Sequence, residues 1–187
     1  IINYKNAWLK IYDVPVIYFP KFYHPDPTVK RQSGFLFPII KSSSLNGQSL
    51  QIPYFKVLDN NKDLTISPRF YFDDNILIQN EYRQANKNSN FISDFSYNKN
   101  NNTKSHFFSN FQGKLKNNYN FEINVEKVTN DKYLKINAIE SPIINNQSKL
   151  YSYLNFQNNN DDYFLNASLG AYEDLGKSKD DRYEYIY

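Results

Sequence analysis

From Gly34 to Tyr172 the chain is a succession of ten runs of about nine residues, many with apolar and polar side chains alternating, set between short polar tips. The runs are Gly34 to Lys41, Ser49 to Val57, Leu64 to Phe72, Ile76 to Gln84, Phe91 to Tyr97, His106 to Leu115, Tyr119 to Val128, Tyr133 to Ile139, Leu150 to Phe156 and Tyr163 to Tyr172. Asn46-Gly47, Asp59-Asn60-Asn61 and Asp73-Asp74-Asn75 punctuate the first of them. Period two is the signature of strands with one apolar and one wet face. In Phe121-Glu122-Ile123-Asn124-Val125-Glu126 the apolar residues fall on one face and the acids and amide on the other. Leu134, Ile136 and Ala138 likewise oppose Lys135 and Asn137, and Tyr163, Leu165, Ala167 and Leu169 oppose Asn166 and Ser168. Tilted strands of this length cross about 25 Å of apolar thickness, so sequential hairpins of this kind read as the wall of an outer-membrane β-barrel. A soluble β-sandwich also alternates, but ten hairpin-linked runs with only five glycines suit an up-and-down meander better than a Greek key.

Composition agrees. Aromatic residues are 18% of the chain, seventeen Tyr and fifteen Phe, while mean hydropathy is −0.72 because Asn, Asp, Ser and Lys fill the other positions. Net charge is +3 with Lys and Asp interspersed, which gives no basic face for nucleic acid. The chain contains no cysteine, which excludes thiol catalysis and thiolate metal sites within it. No apolar run approaches the roughly 20 residues of a membrane helix, and Ile1 to Lys10 lacks the layout of a signal peptide. With Ile1 first, no methionine, and Tyr183-Glu184-Tyr185-Ile186-Tyr187 reading as a strand cut in mid-course, the chain is expected to be an internal piece of a longer protein.

Before Gly34 the character differs. Ala7 to Tyr12 and Val14 to Pro20 read as two short strands broken at Asp13-Val14-Pro15, and Lys21 to Arg31, with Pro25 and Pro27, reads as a linker. The expected division is 1–30 and 31–187.

The first hairpin carries the exception to the alternating pattern. Phe35, Phe37 and Ile39 are expected on one face, and Leu36, Pro38 and Ile40 on the other, so both faces are apolar. Pro38 and Pro53 each interrupt a strand-like run on either side of Ser42-Ser43-Ser44-Leu45-Asn46-Gly47. Proline has no N–H for a neighbouring strand and is confined to edges, strand starts and bulges. Two in one hairpin point to a seam built to be weak.

Other chemistry reads as structural. Asp59-Asn60-Asn61-Lys62-Asp63 begins like a calcium loop, but Leu64 stands where the loop needs glycine and Phe70 where it needs glutamate. His24 and His106 are the only histidines and have no neighbouring nitrogen ligand in sequence, so no metal is expected. The acid pairs Asp73-Asp74, Asp161-Asp162 and Asp180-Asp181 sit at tips, and adjacent acids on a strand point to opposite faces, unlike a glycosidase pair. Asn101-Asn102-Thr103, Asn146-Gln147-Ser148 and Asn166-Ala167-Ser168 match the glycosylation sequon by chance in an asparagine-rich chain. Tyr71, Phe72, Tyr82 and Tyr97 at strand ends are expected to form interfacial girdles. No catalytic residue or cofactor is expected.

Val14-Pro15-Val16, Tyr18-Phe19-Pro20, Lys30-Arg31-Gln32-Ser33-Gly34-Phe35-Leu36-Phe37-Pro38, Ile52-Pro53-Tyr54-Phe55, Asn60-Asn61-Lys62-Asp63-Leu64-Thr65, Ser67-Pro68-Arg69 and Asn80-Glu81-Tyr82-Arg83 stand in an order and spacing that resembles the LPS-assembly protein (LptD, also OstA or Imp) family from about Ala7 to Gln84. The remaining hundred residues match that family only in character. The resemblance implies an all-β chain: the last strands of a periplasmic β-jelly roll over 1–30, then the first strands of a large outer-membrane barrel over 31–187. It implies lipopolysaccharide and outer-membrane lipid as ligands, an LptE-like plug lipoprotein and an LptA-like periplasmic bridge as partners, and no enzymatic step. It also implies a lateral gate formed by Gly34, Phe35, Leu36, Phe37, Pro38, Ile39, Ile52, Pro53 and Tyr54. Lys56 departs from the family's aromatic-rich segment at this point. The alternatives are a porin-like barrel without a gate and a soluble carbohydrate-binding sandwich. A porin is expected to be polar inside from its first strand, which this hairpin is not.

Overall fold

The computed structural model describes residues 2–24, 31–43, 47–72, 75–98, 104–116, 118–160 and 163–187. The expected linker residues 25–30, the pairs Asp73-Asp74 and Asp161-Asp162, and the sequon at Asn101 lie outside them.

The chain opens with a two-stranded antiparallel hairpin, β1 (Ile2–Ile11) and β2 (Val14–His24). Tyr12 and Asp13 form its tip, both with positive φ (48° and 64°), the left-handed pair that matches the twist of a hairpin. Trp8 and Tyr18 pack across it with ring centroids 4.8 Å apart. The second strand runs on to His24, so Lys21 to His24 is strand rather than linker.

All other strands belong to one antiparallel sheet. They are β3 (Gly34–Phe35), β4 (Ile39–Ser43), β5 (Gly47–Gln51), β6 (Tyr54–Asp59), β7 (Lys62–Tyr71), β8 (Ile76–Asn86), β9 (Ser89–Asn98), β10 (Lys104–Lys114), β11 (Tyr119–Val128), β12 (Lys149–Asn159), β13 (Phe164–Asp174) and β14 (Tyr183–Ile186). From β7 to β14 each strand pairs with the next, and β5 and β6 both pair along the free side of β7. β3 with β4, and β5 with β6, are therefore halves of two interrupted strands. The sheet is a meander and does not close on itself.

Its two faces differ as the alternation demands. Ser67, Arg69, Asp94, Ser96, Asn98 and His106 line one face and are buried. Phe70, Ile76, Ile78, Phe95, Tyr97, Phe107, Leu154 and Leu169 stand exposed on the other.

One expected strand is absent. Residues Tyr133–Ile136 form a one-turn helix, α1, and the whole connection 129–148 folds back over the polar face of the sheet. Leu134, Ile136 and Ala138 alternate in sequence, but Tyr133, Leu134 and Ile139 bury together with Tyr71, Leu77, Phe108 and Leu150 as the apolar core. Packing thus overrides the period-two pattern. Asn137 is the hub of this docking. Its Oδ1 accepts from Tyr71 Oη (3.1 Å) and Asn98 Nδ2 (3.2 Å), and its carbonyl accepts from Arg69 Nη1. Tyr71 is consequently buried under the connection and cannot join an aromatic girdle, while Phe72 and Tyr97 remain exposed.

A second connection, 175–182, is tied to the first. Arg182 grips Asp131 with both terminal nitrogens, at 3.0 and 2.8 Å, and also reaches Glu173 at 3.3 Å. The hydrogen bonds from Arg182 hold the Asp131 carboxyl below the usual carboxylate range. Stability from a depressed carboxylate is complete above its unfolded value, about 3.9, and is lost as pH falls through the lower folded value. Below about pH 4 the 175–182 connection is expected to lose protection in hydrogen exchange, and Asp131→Asn is expected to remove that pH dependence. Asn137→Ala leaves the buried donors of Tyr71 and Asn98 without their Asn137 acceptor, at about 1–3 kcal/mol each, and is expected to lower the unfolding midpoint of the protein.

Candidate functional site

The residues expected at the site gather where the first two strands are interrupted. Pairing runs Gly34↔Phe55 and Phe35↔Tyr54, then resumes at Ile39↔Gln51. Three residues, Leu36, Phe37 and Pro38, therefore face two, Ile52 and Pro53. The extra residue makes a β-bulge, which bends its strand and leaves one residue unpaired. It also reverses the strand's faces. Strict alternation would put Phe35 with Ile39, but the register places Phe35 on the exposed apolar face with Ile40, and Ile39 on the polar face with Lys41. All nine expected site residues lie in this one region, and Phe35, Leu36, Phe37 and Ile39 are exposed while Pro53 is buried.

The direction of each missing N–H follows from the hydrogen bonds. Leu36 N donates to Pro53 O (2.9 Å), and Ile52 N donates to Pro68 O (3.0 Å). In an antiparallel ladder such pairs normally exchange two bonds, and here the proline returns none. Pro53 thus removes a donor between the first and second strands, and Pro68 removes one between the second and third. Because Ile52 turns its N–H toward β7, Gln51 and Ile39 face each other, and alternation turns the Pro38 nitrogen to the unpaired edge. Pro38, Pro53 and Pro68 are each fifteen residues apart and lie in a row across three adjacent strands. The sequence shows this spacing, yet Pro68 gains its meaning only from the register.

Both flanks of the break are anchored. Arg31 pairs with the buried carboxylate of Asp63, which Arg83 also contacts at 2.8 Å, and the Arg31 guanidinium lies 5.7 Å from the centre of the Phe55 ring. Ser33 Oγ accepts from Val57 N at 2.9 Å. Beyond the break, Lys41 Nζ reaches Glu140 at 3.0 Å. Beside the break lies an apolar cleft of about 260 Å³, lined by Trp8, Leu9 and Phe19 of the first hairpin and by Phe35, Leu36 and Pro38.

A second constellation has the look of catalysis. Ser96 Oγ lies 2.6 Å from His106 Nδ1, and His106 Nε2 lies 3.2 Å from Asp94 Oδ1, the order of nucleophile, base and carboxylate. All three are buried, and Ser96 Oγ is capped by Tyr133 Oη at 2.5 Å. No substrate reaches that hydroxyl, so the trio serves to seat α1 on the sheet. Among the described residues no group of His, Asp and Glu could hold a metal ion.

Restoring a backbone donor at the row tests its effect. Pro68→Ala offers an N–H to Ile52 O, worth about 0.5–1.5 kcal/mol, so exchange of the Ile52 and Leu36 amides is expected to slow by up to about tenfold. Unchanged exchange would mean that the prolines do not set the compliance of this edge.

No protein-family model matches the chain. Over 84 residues, 45% of its length, it is 40% identical to an LPS-assembly protein LptD of Pseudomonas savastanoi pv. phaseolicola, of which the match covers 9%. A protein of the same name from Pseudomonas aeruginosa is 37% identical over 92 residues, 49% of this chain and 10% of the relative. Another, from Pseudoalteromonas atlantica, is 33% identical over 93 residues, 50% of this chain and 12% of the relative. The chain is thus homologous over about half its length to proteins of this name in several Gram-negative species, and the match spans about a tenth of theirs.

Proposed function

We propose that this segment of an LptD homologue forms one side of a lateral gate through which an outer-membrane barrel inserts lipopolysaccharide into the outer leaflet. The observation that carries the reading is the row of Pro38, Pro53 and Pro68 beside a bulge at the free edge of the sheet. A closed barrel has no weak line unless one is built, because every strand is bonded on both sides. Donors removed at successive seams, together with the extra residue of the bulge over Leu36 to Pro38, make such a line.

The rest of the molecule suits the two halves of an amphiphile. The exposed face bearing Ile76, Ile78, Phe95 and Phe107 suits lipid, and the opposite face offers amides, carboxylates and hydroxyls to sugar. There Glu122 accepts from Asn110 and Gln112, each at 2.9 Å, and from Tyr153 at 2.8 Å. In this reading residues 1–30 end a periplasmic jelly roll, residues 31–187 begin the barrel, and the cleft between Trp8 and Pro38 shelters acyl chains on the way to the seam. An LptA-like bridge would deliver the lipid, and an LptE-like lipoprotein would fill the barrel. No bond is made or broken, and nothing in the sequence resembles a nucleotide-binding loop, so the energy comes from elsewhere.

Photocrosslinking probes at Phe37, Ile39 and Ile52 in the full-length protein in cells are expected to capture lipopolysaccharide, and a probe at Ile123 in mid-wall is not. A protein that reaches the outer membrane but never captures lipopolysaccharide at the seam would be a barrel without a gate.

A further inference from the structure

Beside its backbone ladder, the first strand carries an ion pair at each end, and the two differ in their surroundings. At its start Arg31 meets Asp63, whose side chain is 3% exposed and shared with Arg83. A buried carboxylate held by two guanidinium groups is costly to strip of its partners, so that end is fixed. Past the bulge, Lys41 Nζ pairs with Glu140, whose side chain is 81% exposed, and lies 3.5 Å from the carbonyl of Ala138. This is one contact to a solvated carboxylate, so it separates more easily than a buried carboxylate shared by two guanidinium groups.

The second hold also has a rigid support behind it. Glu140 lies in the connection 129–148, and its carbonyl accepts from Gln79 Nε2 at 2.9 Å, while Gln79 is itself bonded to Asp94. Ala138, with φ +43°, adopts the left-handed conformation at the end of α1, and the preceding Asn137 is bonded to Arg69, Tyr71 and Asn98. The connection is thus fastened to β7, β8 and β9, and the Lys41 side chain joins it to the first strand.

We propose that residues 137–140 act as a strap and that Glu140 is a positioning residue whose pairing with Lys41 is the releasable clasp on the first strand. While the clasp is closed, it adds a side-chain hold to the ladder between β4 and β5, and the bulged part is the least restrained. When Lys41 leaves Glu140, β4 keeps only its ladder to β5, and the edge from Leu36 to Ser43 parts more readily. The inference rests on the gate reading for its purpose, but not for its test.

In the full-length protein with other accessible thiols blocked, spin labels at Ile40→Cys and Ile78→Cys report the distance between the first strand and β8 on the exposed face. Glu140→Gln and Lys41→Gln are each expected to broaden that distance distribution toward longer values, and the exchange pair Lys41→Glu with Glu140→Lys to narrow it again. A distribution unmoved by the single changes, or one that the charge exchange fails to restore, overturns the clasp. Lipopolysaccharide capture at Phe37, followed in the same variants, addresses the gate separately. A responsive distance without any capture keeps the clasp and removes the export reading, and capture with an unresponsive distance does the reverse.

Discussion

A β-ladder depends on one backbone donor per residue, and the edge of this sheet is defined by three positions that lack it. Along an antiparallel strand successive N–H groups point to opposite neighbours, so a proline weakens one seam and leaves the other whole. Pro68, Pro53 and Pro38 fall in a row, and each removes its donor on the side nearer the free edge. The loss is one-sided. From β7 through β13 the ladders run without a register shift, and the irregularity gathers where the sheet ends.

The polar face is organised by a connection rather than by a second sheet. A meander with one wet face has little apolar material to bury, and the core around Tyr133, Leu134 and Ile139 exists because 129–148 folds inward. The buried polar groups beneath it are largely satisfied by one another, from Ser96, His106 and Asp94 to Arg69 and Asn137. Such satisfied networks fix a single arrangement, since any alternative leaves buried donors unpaired.

Strands and tips were legible from alternation and from Asn and Asp clusters, and the strand Tyr119 to Val128 has the same limits in sequence and structure. The prolines were legible as breaks, because their chemistry is local. What stayed hidden depends on partners distant in the chain. The bulge at Phe37 appears only when Gly34 is seen opposite Phe55 and Ile39 opposite Gln51. Tyr133 to Ile139 alternates like a strand, and only its contacts with Tyr71, Ser96 and Arg69 show that it crosses the sheet instead. Lys41 and Glu140 are 99 positions apart, and nothing near either announces the other.

That separation bears on how the edge is made. A contact between positions 41 and 140 closes a long loop, and such contacts form late because their entropy must be met before they reward the chain. The hairpins from β7 to β11 involve only neighbouring segments and assemble without it. During folding the first strand would therefore pair early with β5 in a local hairpin, but lack its hold at Lys41 until six rows of sheet and the turn beyond them were in place. The hold on this edge strand is thus completed well after the strand itself is made, so a partly folded chain keeps a compliant, pairing-competent edge.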